Sequence, residues 1–430
     1  MADGTLKRLK AGMRGPVPPK ASEGDDAEVT LAQGKSRPAW AEIDLAAVTH
    51  NAVVLAELVR PAQLCAVVKA HGYGHGGPAV AKAALAGGAA GTAVALVDEG
   101  VELRQHQVRG PILLLSECGA DAVDTAMAYG MTPTVYTHEA IEQFSRAART
   151  MGQRTSVHVK VDTGMHRVGA SPSEVPALVK AVADDPLLRF EGLWTHFPVA
   201  DGASDEDRTF TLGQLEVFER LRAELLALGL EPTVVHAANT AGGVAFPSSR
   251  LDMVRCGIGL YGCLPGHTAG AFAAAASAPL QPAMSLKARV VALRTLEAGE
   301  RPSYGRLRPL PTRSVVATVP IGYADGVPRQ LFRQGYEVLI GGKRRPLAGM
   351  VTMDQIVVDC GEDATVAVGD EVVLLGRQGD AEISAEEWAN LLGTISYEVL
   401  CGVGARVPRR LVNEGAPGAS YSPPAAALPD

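Results

Sequence analysis

The sequence predicts an α/β fold in two parts, an N-terminal (β/α)8 TIM-type barrel followed by a mostly antiparallel β-strand domain. Three observations predict it. Eight short apolar runs alternate with helical stretches up to about residue 275. Beyond that point strands are joined by short Gly- and Pro-bearing turns with no room for crossover helices. The C-terminal ends of six of the eight runs carry polar residues, where barrel enzymes place their chemistry. The expected division is a mobile tail over 1–36, a barrel over 37–275, a β domain over 276–413 and a second flexible tail over 414–430. Both tails are Gly- and Pro-rich and lack apolar periodicity.

The eight runs are residues 64–69, 91–97, 110–115, 132–136, 156–162, 190–196, 233–237 and 252–256. Between them, segments such as 138–149 and 207–228 repeat apolar residues at three- and four-residue spacing, the mark of amphipathic helices. In the second part, residues 285–293, 314–319, 337–340, 355–359 and 371–375 read as strands.

Composition bounds the class. The chain has 430 residues, 47% of them hydrophobic, enough for a large core and two domains. A formal net charge of -7 argues against a nucleic-acid surface. Lys7, Lys10 and Arg14 are followed by no apolar segment, so a cytoplasmic chain without membrane insertion is expected. Six scattered cysteines read as buried thiols, and with no HExxH among ten histidines no metal is expected.

The most informative run is residues 66–77, where Lys69 ends an apolar strand and a flexible Gly-rich loop bearing Tyr73 follows. A lysine buried against Val67 and Val68 is pushed toward the neutral amine that forms Schiff bases. The glycines admit a ligand close to the backbone, and Tyr73 offers a hydroxyl. The same run supports a rival. Gly72-x-Gly74-x-x-Gly77 after a strand, with Asp98 ending the next one, matches a dinucleotide-binding turn and its ribose acid.

The strand ends weigh against that rival. They carry Lys69, Asp98, Lys160 with Asp162, His196, His236 followed by Asn239 and Thr240, and Arg255 followed by Gly257 and Ile258. Residues 239–243 and 256–262 supply hydroxyl and backbone N–H donors where barrels commonly hold a phosphate. A reactive lysine and a phosphate nest in one barrel mouth imply pyridoxal phosphate.

On these motifs the chain resembles the bacterial alanine racemases over about residues 37 to 413. Residues 69–76 are similar to the family's lysine motif, and 160–169 to its substrate-arginine motif. His236 to Thr240 and Arg255 to Ile258 are similar to its phosphate and pyridine contacts. Ser303-Tyr304-Gly305, residues 321–326 and Met353-Asp354-Gln355 are similar to its C-terminal signatures. The resemblance implies that Lys69 carries pyridoxal 5'-phosphate and that Lys69 and Tyr304 are bases on opposite faces of the α-carbon. It implies cofactor contacts from Tyr73, His196, Asn239, Thr240, Arg255, Gly257 and Ile258, and substrate carboxylate contacts from Arg167 and the Met353 N–H. Lys160, which the family can carbamylate, Tyr323 and Asp354 are implied in support.

A phenol with a pKa near ~10 is a poor base, and lowering it by about 2 units takes roughly 2.7 kcal/mol. His196, which can exchange a proton, and Arg167, which stays charged, are the candidate partners for it. An arginine facing the pyridine nitrogen, as Arg255 does by resemblance, disfavours ring protonation and separates a racemase from a decarboxylase, which needs the stronger electron sink. Tyr304 and Met353 are implied to act on the partner subunit's site, so a homodimer is expected.

Three departures stand out. His71-Gly72 replaces a frequent Asn-Ala, Thr240 replaces serine while keeping its hydroxyl, and Ala405 lies where some members carry a tyrosine, which implies a wider access gate. The competing readings are a broader-specificity racemase, a non-catalytic pyridoxal-phosphate carrier and a nicotinamide oxidoreductase. Asp162-Thr-Gly164 resembles an aspartic-protease triplet, but no second triplet exists. Arg344-Arg345 and Arg409-Arg410 read as solvated basic pairs.

Overall fold

The computed structural model describes residues 37–414. The tail expected over 1–36, and that expected from 414 onward except Glu414 itself, lie outside the described residues. The chain enters through strand β1 (Ala39–Asp44). It divides into two compact units that interleave along the sequence.

The first unit holds Val59–Lys69 and Ala90–Arg255. Its strands are β2 (Gln63–Val67), β3 (Gly91–Val94), β4 (Ile112–Leu114), β5 (Thr134–Val135), β6 (Thr155–Lys160), β7 (Leu188–Trp194), β8 (Val234–His236) and β9 (Met253–Cys256). All eight expected runs are present. Two four-stranded sheets, β4-β3-β2-β9 and β5-β6-β7-β8, are joined at both edges by parallel bridges, Leu113 to Thr132 and Asn239 to Arg255. The two bridges close the strands into a ring.

Local chemistry sets the helices between these strands. Thr137 accepts from the Ala140 N–H to start His138–Met151, and Gly152 ends that helix in the left-handed conformation. Ser204 and Asp207 form a capping box at the head of Asp205–Ala227. That helix buries Thr211, Gln214, Leu215, Phe218, Leu221 and Leu225, a face at three- and four-residue spacing. Asp98 departs from expectation: β3 stops at Val94, and Asp98 sits in the first turn of the helix Val97–Gln105.

The second unit holds residues 37–58, 70–89 and 256–414. Its C-terminal strands are β10 (Met284–Arg289), β11 (Ala292–Leu296), β12 (Ser314–Val319), β13 (Glu337–Ile340), β14 (Lys343–Pro346), β15 (Ile356–Asp359), β16 (Glu371–Gln378), β17 (Ala381–Ile383) and β18 (Arg409–Val412). They form one sheet in the order β14-β13-β16-β10-β1-β18, with β17 on β16, and a second in the order β11-β12-β15. The run 285–293 is therefore two strands in different sheets, and β1 pairs with β10 and β18. Every pair here is antiparallel except β1 with β18. Helices Ala385–Leu392 and Ser396–Cys401 were not anticipated, because short segments among strands carry little periodicity. No helix among the described residues is long and apolar enough to cross a membrane.

Phe218 is fully buried in the first unit. Phe218→Ala should lower stability by about 3–5 kcal/mol, read as a fall in the urea midpoint at unchanged slope. A change below about 1 kcal/mol would mean that this face does not carry core packing.

Candidate active site

The barrel's strand ends gather positive charge around one guanidinium. Arg255, in β9, is 3% exposed. Its Nη2 donates to the carbonyls of Thr195 (2.9 Å) and Ala237 (3.0 Å) and meets His196 Nδ1 at 3.1 Å. Its Nη1 meets His236 Nδ1 at 2.8 Å. The guanidinium also lies 4.5 Å from the centroid of the Trp194 ring, and the Lys160 ammonium lies 4.3 Å from it. Trp194 and His236 stack with a 9° interplanar angle. The ends of β6 to β9 thus converge on one cation-rich cluster.

Because these cations crowd together, their neighbours give up protons. Lys160 is 4% exposed. Burial, then the charges of Arg255 and Arg167, push its pKa down to about 7, with Lys69 adding to the effect and Asp162 opposing it. Burial, then Arg255, Lys160, Arg167 and Lys69, hold His196 well below the usual histidine value, so it is neutral. Arginine only donates, so His196 Nδ1 accepts from Arg255, and the ring proton sits on Nε2. A neutral His196 so committed donates from Nε2 and has no site for another group's proton. Burial and Arg255 thus favour His196 as a hydrogen-bond donor through Nε2.

Asp162 has no protease character. Its Oδ1 accepts from the Gly164 (2.9 Å) and His166 (3.1 Å) N–H groups, shaping the turn that presents exposed Arg167. Asn239 accepts from the Gly242 N–H at 2.9 Å, capping Thr240–Ala245, whose first residue Thr240 is buried. Lys69 is half-buried where the first unit's β2 segment ends.

In the second unit, the loop expected to be flexible is a hydrogen-bonded left-handed turn. Ala70, His71, Gly72 and Tyr73 have φ values of 53°, 51°, 61° and 51°. Gly74 N–H donates to the Ala70 carbonyl (2.9 Å) and Gly76 N–H to that of His71 (2.7 Å). That geometry excludes the dinucleotide-binding reading, whose glycines open a right-handed helix. Tyr73 stacks on Tyr261 with centroids 4.7 Å apart. Burial raises its phenol pKa, so its hydroxyl is a donor. A Cβ at Gly257 would lie 2.4 Å from that hydroxyl oxygen, so only glycine leaves room there, beside Ile258 at the head of the next turn.

Sequence reasoning missed two residues of this neighbourhood. Arg409 is no solvated basic residue, because its Nε donates to the Gly74 carbonyl at 2.9 Å and its Nη groups to those of Gly404 and Val407. Tyr397 stands with its ring centroid 6.0 Å from that of Tyr73. Of the other basic pair, Arg344 and Arg345 bind Glu387 and Asp363.

The C-terminal signatures also come together within the second unit. Tyr323 N–H donates to the Thr352 carbonyl (2.9 Å) and Ala324 N–H to that of Met353 (3.1 Å). Arg406 bridges Asp354 (2.7 Å) and buried Asp325 (3.5 Å). Ser303 Oγ donates to the Met350 carbonyl at 2.7 Å, which ties the Tyr304 loop to the segment preceding Met353. Tyr304 itself is 70% exposed and Met353 52%.

Comparison with known proteins decides the family. Residues 43–265 match the alanine racemase N-terminal domain family and residues 283–411 the alanine racemase C-terminal domain family. The chain belongs to the alanine racemase family. It is 44% identical over 373 residues to the alanine racemase of Symbiobacterium thermophilum, covering 87% of this chain and 97% of that one. The crystal structure of alanine racemase from Bacillus anthracis with bound L-Ala-P matches at a TM-score of 0.80 and 34% identity, over 89% of this chain and 97% of that one. A histidine racemase from Leuconostoc mesenteroides also matches, at a TM-score of 0.79 and 30% identity over 88% and 99% of the two chains. Family membership makes the chain an isomerase, an alanine racemase.

The Lys160 titration is measurable. Between about 7 and 10.5 the unfolded chain holds a proton that the folded chain releases, so Lys160 makes stability rise with pH across that window. Lys160→Met should flatten this rise, read from urea midpoints across that range. An unchanged slope would show that the ammonium is not desolvated.

Proposed function

We propose that this chain binds pyridoxal 5'-phosphate and interconverts L- and D-alanine with Lys69 and Tyr304 as opposed bases, in a homodimer. The observation that carries the reading is the cationic cluster of Lys69, Lys160, Arg167 and Arg255, whose charge adds to burial in depressing Lys160 and His196 and suits an anionic ligand. The donors present fit a phosphate. Tyr73 offers a buried hydroxyl held over Gly257, and buried Thr240 offers a hydroxyl in an Asn239-capped turn.

When bound, the cofactor supplies a carbonyl for covalent attachment of the amino group and an electron-withdrawing ring that acidifies the α-carbon. Lys69 would hold it, and its side-chain amine would take or return a proton on one face of the α-carbon. Tyr304 does the same on the other face, so the proton leaves from one side and returns on the opposite side and the configuration inverts. Arg255 would oppose protonation of the cofactor ring, and Tyr73, Asn239, Thr240, Gly257 and Ile258 would hold the phosphate. Arg167 and the Met353 N–H orient the substrate carboxylate, with Lys160, Tyr323 and Asp354 supporting these positions. Because His196 is neutral with its proton on Nε2, it stabilises a phenolate as a hydrogen-bond donor, and the charge assistance falls to Arg167.

The exposure of Tyr304, Met353 and Tyr323 supports the dimer. A base exposed to water on its own chain reaches a dry site when a second copy covers it.

Borohydride should fix the yellow chromophore on Lys69 and leave Lys69→Ala unlabelled. In deuterated water, L-alanine should yield α-deuterated D-alanine, and Tyr304→Phe should slow this by at least about 100-fold. A fully active Tyr304→Phe enzyme would sink the two-base assignment. A panel of L-amino acids that includes histidine measures the strictness of the substrate choice. Activity should also fall on dilution in step with the dimer fraction seen by sedimentation, whereas a fully active monomer would overturn the shared site.

A further inference from the structure

The barrel interior beneath Arg255 contains a second imidazole to which the proposed mechanism gives no role. His158, in β6, is 5% exposed, and its Nδ1 lies 2.9 Å from His236 Nε2. Its own Nε2 faces Glu191 Oε2 at 3.5 Å, and Glu191 in turn is bound by Arg189. We propose that Arg255, His236, His158 and Glu191 form one hydrogen-bond chain of fixed direction, in which His158 and Glu191 are positioning residues for Arg255. The role given to Arg255 at the cofactor ring is the reading above, on which this inference rests.

The direction follows from donor and acceptor counting. Arginine has no acceptor, so His236 Nδ1 accepts at 2.8 Å. A neutral His236 must then carry its proton on Nε2. His158 Nδ1 therefore accepts, because a reversed bond would leave His236 with no ring proton at all. The His158 proton is left on Nε2, which points at the one carboxylate in the chain. Burial and the adjacent Arg255 charge oppose a second proton on His236. At the far end, the bond from His158 leads the influences that hold the Glu191 carboxyl below its ordinary range.

The backbone is shaped for this ring. The register between β6 and β7 shifts between Val157 and His158, which sets His158 opposite Gly192. A Cβ at Gly192 would lie 2.3 Å from His158 Nδ1, so any larger residue displaces the imidazole. Barrel interiors are ordinarily filled by branched apolar side chains, and a buried imidazole left without partners is destabilising. Here bonds satisfy both ring nitrogens of His236 and Nδ1 of His158, and the last ring N–H faces the carboxylate. With His158 Nδ1 accepting its Nε2 proton, His236 is held with a lone pair, not a competing N–H, toward Arg255. The stacked Trp194 ring fixes the plane of His236 and lies 4.5 Å from the guanidinium.

Nitrogen-15 NMR of histidine-labelled protein at neutral pH reads the tautomers without reference to activity. Both His158 and His236 should show an unprotonated Nδ1 and a protonated Nε2. An Nδ1–H tautomer or a doubly protonated ring at either residue overturns the chain. In holoenzyme, His158→Leu and Glu191→Leu should shift the bound cofactor's absorption band in the sense produced by Arg255→Lys and lower kcat about tenfold, with KM within about twofold. Glu191→Gln, whose amide oxygen still accepts, should restore most of both. If Arg255→Lys moves the band while the His158 and Glu191 variants lower only the melting temperature, the positioning role is wrong. If Arg255→Lys itself leaves band and kcat unchanged, it is the reading of Arg255 at the ring that fails, and the role assigned to His158 falls with it.

Discussion

One buried guanidinium organises the barrel end. Arg255 cannot shed its charge, so every group around it adjusts. Two backbone carbonyls and two imidazole nitrogens accept from it, which ties the ends of β7, β8 and β9 to one point. Burial first, and then the same charge, hold His196 and His236 well below the usual histidine value and bring Lys160 near 7. Once the arginine's donors are placed, the proton positions on both histidines follow without further choice. Geometry and protonation are therefore one constraint.

The second unit meets a different constraint, in the backbone. Three non-glycine residues, Ala70, His71 and Tyr73, lie in the left-handed region, where each costs about 1–2 kcal/mol. The turn persists because its end is fastened. Arg409 binds the Gly74 carbonyl, Tyr73 stacks on Tyr261, and buried His75 packs 4.6 Å from the same Tyr261 ring. Gly74 admits the close approach of the Leu400 carbonyl, which a Cβ would meet at 2.7 Å. The strain fixes the direction of the Tyr73 hydroxyl, so the donor proposed for the phosphate is set before any ligand arrives.

Much of this was legible in the sequence, because the signals were local. Eight apolar runs with crossovers gave the strand count, and the residues at their ends gave Lys160, His196, Asn239, Thr240 and Arg255. What was not legible depends on distance along the chain. The left-handed turn after Lys69 is a property of tertiary fastening by Arg409, some 335 positions away. Asp98 was read into a strand because a short apolar run carries no boundary signal, and the helix starts only at Val97. Tyr397 was missed because a tyrosine was sought at 405, while its neighbour Tyr73 is set by the fold. The one signal for the His158 chain was a pair, a histidine amid the valines of β6 and a glycine within β7. Neither is informative until register places them opposite one another.

The arrangement also explains why arginine and a neutral histidine serve the proposed phenol base better than an imidazolium would. A phenolate needs positive potential that persists across the pH range in which the enzyme works. An imidazolium supplies it only below its own pKa and loses it as pH rises. Arginine does not titrate there, so Arg167 and Arg255 give a field of constant sign. Burial, joined by the cations that provide this field, disfavours a second proton on His196 and turns it from a competing acid into a fixed donor. Crowding charge of one sign, normally a destabilising feature, thus turns a titrating neighbour into a permanent dipole aimed by Arg255.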